Sequence, residues 1–397
     1  MPSPSSPEDH PVWEPDRIST ADIRYEAEPR SETKGRRGVD PWALILGILG
    51  GVLLGTGVTF AVLGFTGVLT EPEPDSIPPP PALTVPPATS LPVTDPVEAG
   101  RITGIAASAI RSVVAVDVSG LFGRGGGSGV VYSDTGYILT NHHVIENADT
   151  ITVTFADGGR FPADLVGSDP LTDVAVLLVS RADLNAIPIL LDEGASIGQP
   201  AIAVGNPLSL EGGPSVTSGI VSALDRAIRI DSGTTLYGLV QTDAPITRGS
   251  SGGALLDSSG RLIGITTAIA VSDVGAEGLG FAIPTDLVIG VANDLIADGV
   301  VDHAFLGING TTVNASDNGA AYPVGVGVSD MRGESAYELA GGQINDVIVE
   351  IAGTRITTLD GLLTLLRRLR AGDEVAVVYL RGENEATLLV TLGRLVP

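Results

Sequence analysis

The chain reads as mainly β, in two folded units behind a membrane-spanning segment, and three observations carry that expectation. From residue 113 onward, short runs rich in Val, Ile, Leu and Thr recur between turn signals, the cadence of an all-β barrel or sandwich. Beyond residue 302 a Leu-rich helical stretch and two further strand runs mark a second, α+β unit. Ahead of both, Trp42 to Leu69 carries no charged residue, which exceeds the roughly 20 residues needed to cross a bilayer.

Composition narrows the classes. A chain of 397 residues holds two domains and appendages. Its formal net charge of −25 argues against nucleic-acid partners, which need basic patches. Without cysteine there is no disulfide, thiol nucleophile or thiolate metal site. No metal or other cofactor is expected, and nothing reads as an ATP site. Lys34 is the only lysine, and Ala, Gly and Arg are favoured, a usage that points to a GC-rich bacterial genome.

Residues 1–40 are rich in Pro, Ser and charge without an apolar period, as in a disordered tail. Residues 41–69 are the expected transmembrane helix. A cleaved signal peptide is the competing reading, but its apolar core would be about 7–15 residues and a long tail ahead of it is unusual. Lys34, Arg36 and Arg37 place the N-terminus in the cytoplasm and the chain beyond the span outside. Gly47, Gly51 and Gly55 share one helix face, which can self-associate. The proline-dense stretch 70–100, with Pro78-Pro-Pro-Pro81, is a stiff spacer reaching up to roughly 80–90 Å.

The first folded unit, 101–300, opens on a short helix over Ile102–Ile110 and a strand over Val113–Val118. Gly123-Arg-Gly-Gly-Gly-Ser-Gly129 lacks the lysine and following helix of a phosphate-binding loop. It reads as a loop opening the next strand. Further strands are expected around Ile151–Phe155, Ala163–Val166, Val174–Val179, Pro200–Val204, Gly219–Ala223, Leu239–Thr242 and Arg261–Thr266. A helix closes the unit, with Thr285 as its N-cap and Gly299 as its stop.

Three stretches carry chemistry. Gly249-Ser-Ser-Gly-Gly253 sets Ser251 in a turn that glycine permits, with the N–H groups of Gly249 and Ser251 free to converge as an oxyanion hole. Alone it reads more readily as a Gly/Ser loop. Upstream, however, Thr140-Asn-His-His-Val144 ends one strand run and Asp173 opens another. A serine hydroxyl needs a neutral imidazole to take its proton, and that imidazole needs a carboxylate to fix its tautomer. The order His, Asp, Ser is that of one convergent class of serine protease.

Residues 101–397 resemble the HtrA (high-temperature-requirement) serine proteases, a trypsin-like domain followed by a PDZ domain. The family patterns TNxHV, DxxTDxAVL, GNSGGP and GxGFAIP read here as Thr140-Asn-His-His-Val144, Asp169-Pro-Leu-Thr-Asp-Val-Ala-Val-Leu177, Gly249-Ser-Ser-Gly-Gly-Ala254 and Gly278-Leu-Gly-Phe-Ala-Ile-Pro284. Ser250 and Ala254 depart from the pattern without removing a reactive atom.

The resemblance implies a chymotrypsin-like double β-barrel over 101–300 with the triad His143, Asp173 and Ser251 in its cleft, His142 being only a neighbour. It implies a PDZ domain over 301–397 whose carboxylate-binding loop is Phe305-Leu-Gly-Ile308, capturing C-terminal peptides by strand addition. The groove would lie between that loop and a helix capped by Thr358, whose leucines read chiefly as core. Pro245, where trypsin carries its acidic specificity residue, implies a preference for small or medium apolar side chains. The expected protein is a membrane-anchored, actinobacterial-type endopeptidase acting on unfolded or extended polypeptides outside the membrane, a homotrimer being its candidate assembly. A PDZ adaptor or holdase is the alternative.

Overall fold

The computed structural model describes residues 96–121, 123–190, 194–206, 213–230, 234–267, 279–317 and 320–395. The expected cytoplasmic tail, membrane span and nearly all of the proline-rich spacer lie outside the described residues. Among the described residues no helix is long and apolar enough to cross a membrane.

Helix α1 (Pro96–Ala109) is longer than the expected Ile102–Ile110 stretch and passes through one 3₁₀ turn, Ile110–Ser112, into the first barrel. That barrel is closed, with β1 (Val113–Gly120), β2 (Gly123–Val131), β3 (Tyr137–Thr140), the one-turn helix α2 (His142–Ile145), β4 (Thr150–Thr154), β5 (Arg160–Asp169) and β6 (Val174–Val179). Around it the strands run β1-β2-β3-β6-β5-β4. The second barrel uses β7 (Pro200–Gly205), β8 (Ser215–Arg229), β9 (Thr235–Thr242), β10 (Ala254–Leu256), β11 (Leu262–Thr267) and β12 (Gly280–Pro284), in the order β10-β11-β12-β9-β8-β7.

Both faces of β6, β7, β10, β11 and β12 are buried nearly throughout, which is why these strands read as unbroken apolar runs instead of alternating ones. Along β1, Val114 and Val116 fill the first barrel while Val113 points to a core shared by both barrels. Along β7, Ala201 and Ala203 fill the second barrel while Ile202 and Val204 face that shared core. Each such Val or Ile side chain contributes about 1.5–3 kcal/mol on burial. Helix α3 (Thr285–Asp298) closes the shared core with Leu287, Val288, Val291, Ala292 and Leu295.

Two local expectations are corrected. Gly123–Gly129 is strand, paired along its length with β1. Glycine serves close approach here: a Cβ on Gly126 would come within 2.5 Å of the Val116 carbonyl oxygen, and one on Gly127 within 2.8 Å of the Ser251 carbonyl. Thr285 is the first residue inside α3, and Pro284 precedes it as the cap. The Thr285 hydroxyl instead donates to the Leu262 carbonyl at 3.1 Å, tying the helix to β11. Gly299 ends the helix as expected, in the left-handed region at φ 75° with its N–H on Leu295 O.

The remaining chain has its own core of Leu306, Val326, Val328, Tyr337, Ile348, Leu362, Leu366 and neighbours. Its sheet runs β14 (Ile308–Asp317), β15 (Ala320–Met331), β16 (Val347–Ile351), β18 (Glu374–Arg381), β19 (Asn384–Thr391), with β17 (Thr354–Arg355) beside β16. Short strands β13 (Ala304–Phe305) and β20 (Gly393–Arg394) pair apart from it. Helix α4 (Ala336–Leu339) and helix α5 (Leu359–Arg368) complete the unit. Thr358 caps α5, its hydroxyl accepting from Gly361 N–H at 3.1 Å. Asn345 adopts the left-handed region, at φ 73°, which Asn tolerates.

Candidate active site

Strand β3 ends at Thr140 and leads through Asn141 into α2, whose two histidines point in different directions. His142 Nδ1 lies 3.1 Å from the Ser168 hydroxyl. His143 Nδ1 lies 2.9 Å from Asp173 Oδ2, and its backbone N–H donates to Asp173 Oδ1 at 3.0 Å. The imidazole side chain is 37% exposed while Asp173 is 3% exposed, so the pair has one wet end and one dry end. A buried carboxylate is tolerable only when its oxygens accept hydrogen bonds. Here Thr267 Oγ1, at the end of β11, donates to Oδ2 at 3.2 Å. Asp173 itself sits at φ 58°, and Asn141 Nδ2 and His142 N–H hold its carbonyl.

Ser251 comes from the second barrel, in the turn before β10. Gly249 and Gly252 adopt φ 89° and 85°, where a Cβ is strained. A Cβ on Gly252 would also collide with the Ser128 carbonyl oxygen. Ser128, on β2 of the other barrel, binds this turn twice. Its N–H donates to Ser251 O at 2.7 Å and its hydroxyl to Gly249 O at 2.7 Å. Thr266 accepts the Gly252 N–H and donates its hydroxyl to Ser250 O at 2.6 Å.

The two halves meet in one open cavity of about 690 Å³ lined by His142, His143, Asp173, Gly249, Ser251 and Thr267 among others. The structure therefore brings together every residue expected at the reactive centre. Thr267, Ser128 and Asn141 were not singled out from the sequence. Their only signal is being small polar residues in or beside strands, which many structural positions share.

Residues expected at the carboxylate-binding loop gather elsewhere. Phe305 lies in β13 and Ile308 opens β14, while Gly307 sits at φ 76° with no room for a Cβ against Ser335. Leu306 O accepts from Tyr337 N–H at 3.1 Å and Gly307 O from Arg332 N–H at 2.9 Å. Helix α5 stands across from β14, where Leu359 N–H donates to Thr312 Oγ1 at 3.0 Å. Of its leucines, Leu362 and Leu366 are buried in the core of this unit.

Residues 127–265 match the trypsin-like peptidase domain family and residues 304–392 the PDZ domain family. Over 274 residues the chain is 38% identical to "Serine endoprotease DegS" of Salmonella typhimurium (strain 14028s / SGSC 2262), covering 67% of this chain and 76% of that protein. A solved structure, "HtrA-type protease AlgW with tripeptide", superposes with a TM-score of 0.63 at 33% identity, over 75% of this chain and 98% of that one. The chain belongs to the HtrA family of serine proteases. The HtrA chain is also 40% identical to "Probable periplasmic serine protease do/HhoA-like" of Haemophilus influenzae (strain ATCC 51907 / DSM 11121 / KW20 / Rd), over 65% of its own length. It spans only 56% of that relative.

Proposed function

We propose that the protein is an ATP-independent serine endopeptidase, anchored in the membrane by residues 41–69, that cleaves unfolded or extended polypeptides on the extracytoplasmic side. The observation that carries the chemistry is the 2.9 Å contact between His143 Nδ1 and Asp173 Oδ2 in the cavity that also holds Ser251. With Nδ1–H donated to the carboxylate, Nε2 is the nitrogen left to accept the Ser251 proton. Ser251 Oγ then attacks the scissile carbonyl carbon, and the oxyanion forms toward the N–H groups of Gly249 and Ser251. The imidazolium passes its proton to the leaving amine. Water, deprotonated by the same His143, hydrolyses the acyl-enzyme.

Pro245 leaves the specificity pocket without a carboxylate, so a Lys⁺ side chain would be buried unpaired at high cost. Small or medium apolar side chains fit better. The PDZ unit takes C-terminal peptides at Phe305-Leu-Gly-Ile308. Support for the outward orientation is the run Lys34, Arg36 and Arg37 ahead of an uncharged span, together with the word "periplasmic" in a relative's name.

A fluorophosphonate probe tests the enzyme. Labelling of Ser251 with cleavage of casein is expected. A folded protein that neither labels nor cleaves, yet binds C-terminal peptides, would be an adaptor or holdase instead. For the orientation, external protease on wall-permeabilised cells should remove residues 71 onward and spare the N-terminal tail.

A further inference from the structure

Away from the cavity, buried ionisable groups gather where the PDZ unit meets the first barrel. His303, just ahead of β13, is 3% exposed, and its Nε2 lies 2.9 Å from Oδ2 of Asp169, itself 5% exposed. Asp169 is the last residue of β5 and pairs with Val174 across the short turn that ends in Asp173. Its carboxylate also accepts from the Thr172 hydroxyl and from Leu171 N–H at 3.4 Å. One carboxylate thus grips the turn from inside and a PDZ histidine from outside.

Electrostatics keep that carboxylate charged. Burial alone would raise its pKa, but the hydrogen bond and charge of His303, with the Thr172 hydroxyl, hold it below the ordinary carboxylate range. The Arg367 guanidinium, on α5, feels the same charge: burial pushes its pKa down and Asp169 opposes that. Among the described residues, three further ion pairs between the units involve none of the residues at the reactive centre, and one of them joins Arg368 to Asp225 on β8. Arg368 reaches Asp286 and Arg370 reaches Asp294, both on α3.

The residue after Thr172 is Asp173, at φ 58°. A non-glycine residue holds that conformation only when its surroundings fix it. We infer that His303 is a positioning residue for the active site: through Asp169 it fixes the Pro170–Thr172 turn, and so the aim of the Asp173 carboxylate at His143. The docking of the PDZ unit then reaches the triad by two hydrogen bonds and a three-residue turn. This inference rests on Asp173 being the orienting carboxylate of a working protease.

The test is kinetic, on the full chain, with a chromogenic peptide too short to reach the PDZ unit and with the rate of fluorophosphonate labelling of Ser251. His303→Ala should lower kcat and the labelling rate by roughly 3- to 10-fold, the range of coupling through a neighbour, with KM within about twofold. Gln places its side-chain N–H where Nε2 stands and Asn places it where Nδ1 stands. His303→Gln should therefore keep most of the rate and His303→Asn should not. In an Asp169→Asn background, His303→Ala should add little further loss. An unchanged kcat in His303→Ala, or equal rates for the Gln and Asn variants, would reduce His303 to a docking contact. A shift confined to KM would place its action on substrate binding. If His303→Ala does not fold, the Gln and Asn pair decides. A wild-type chain that neither cleaves nor labels would refute the protease reading itself, a result distinct from any of these.

Discussion

The two halves of the active site are held in different ways. His143 and Asp173 belong to one barrel, are joined by direct side-chain and backbone hydrogen bonds, and need only Thr267 from outside it. The Ser251 turn is gripped from both barrels: Ser128 takes the Ser251 and Gly249 carbonyls, and Thr266 takes the Gly252 N–H and the Ser250 carbonyl. The acid–base pair is therefore built into the secondary structure of β3, α2 and the β5–β6 turn. The serine turn draws half of its grip from its own barrel through Thr266 and half from the packing of the two barrels through Ser128.

The largest expected effect treats both halves alike and breaks the chemistry. Ser251→Ala or His143→Ala should lower casein cleavage by on the order of 10⁶-fold in turnover, since members of such a triad act as a unit. His142→Ala should leave most activity, because its ring bonds to Ser168 and not to Asp173. An inactive His142→Ala enzyme would reassign the base.

Ser128→Ala sharpens the contrast. It removes the hydroxyl that donates to Gly249 O and accepts from Asn206 N–H at 2.8 Å. Loss of these buried bonds should cost roughly 10-fold or more in kcat, with a near-native melting temperature. A matching loss of stability would mean the turn is no more dependent on Ser128 than the rest of the barrel is.

Thr267→Val probes the self-contained half and should cost less. One donor of several leaves Asp173, so a fall in kcat of about 3- to 10-fold is expected. A fall as large as that of Ser251→Ala would show that the acid–base pair also depends on the second barrel.

The smallest catalytic effect should come from the PDZ interior. Asp346 is buried, with Arg381 Nε at 2.7 Å and the Tyr337 hydroxyl at 3.1 Å. Burial would raise its pKa, but the hydrogen bond from Arg381 and the Gln343 N–H hold it below the ordinary value. A carboxyl depressed on folding stabilises above its unfolded pKa of about 4 and loses that contribution as pH falls through the folded value. Asp346→Asn should lower the melting temperature at pH 7, with the gap to wild type narrowing on acidification below about pH 4. Its kcat on a short peptide should match wild type. A pH-independent gap would remove the charge from the explanation.

Much of the site was legible in the chain itself because its parts are local. A glycine-bracketed serine needs the φ values that Gly249 and Gly252 adopt, and the His143 and Asp173 stretches each end or open an apolar strand run. Val174–Val179 even has the expected ends. The apolar runs announced strands such as β6 and β7 because these bury both faces. What the sequence could not decide is whatever depends on which strands become neighbours. Gly123–Gly129 looked like a loop because glycine is a poor strand former, and only the approach of Ser251 and Val116 to it shows why bare backbone is required there. Thr285 looked like a cap, but β11 offered its hydroxyl a carbonyl across the packed core. Ser128, Thr267 and His303 lie 123, 94 and 134 residues from the partners that give them meaning, Ser251, Asp173 and Asp169. Hydrogen bonds at that separation leave no local period or motif, since a single hydroxyl or imidazole changes neither the propensity nor the hydrophobic pattern of its own strand. Local chemistry and patterning were written in the chain, while the contacts that aim the reactive groups arise only when closed barrels and a docked PDZ unit bring distant side chains within hydrogen-bonding reach.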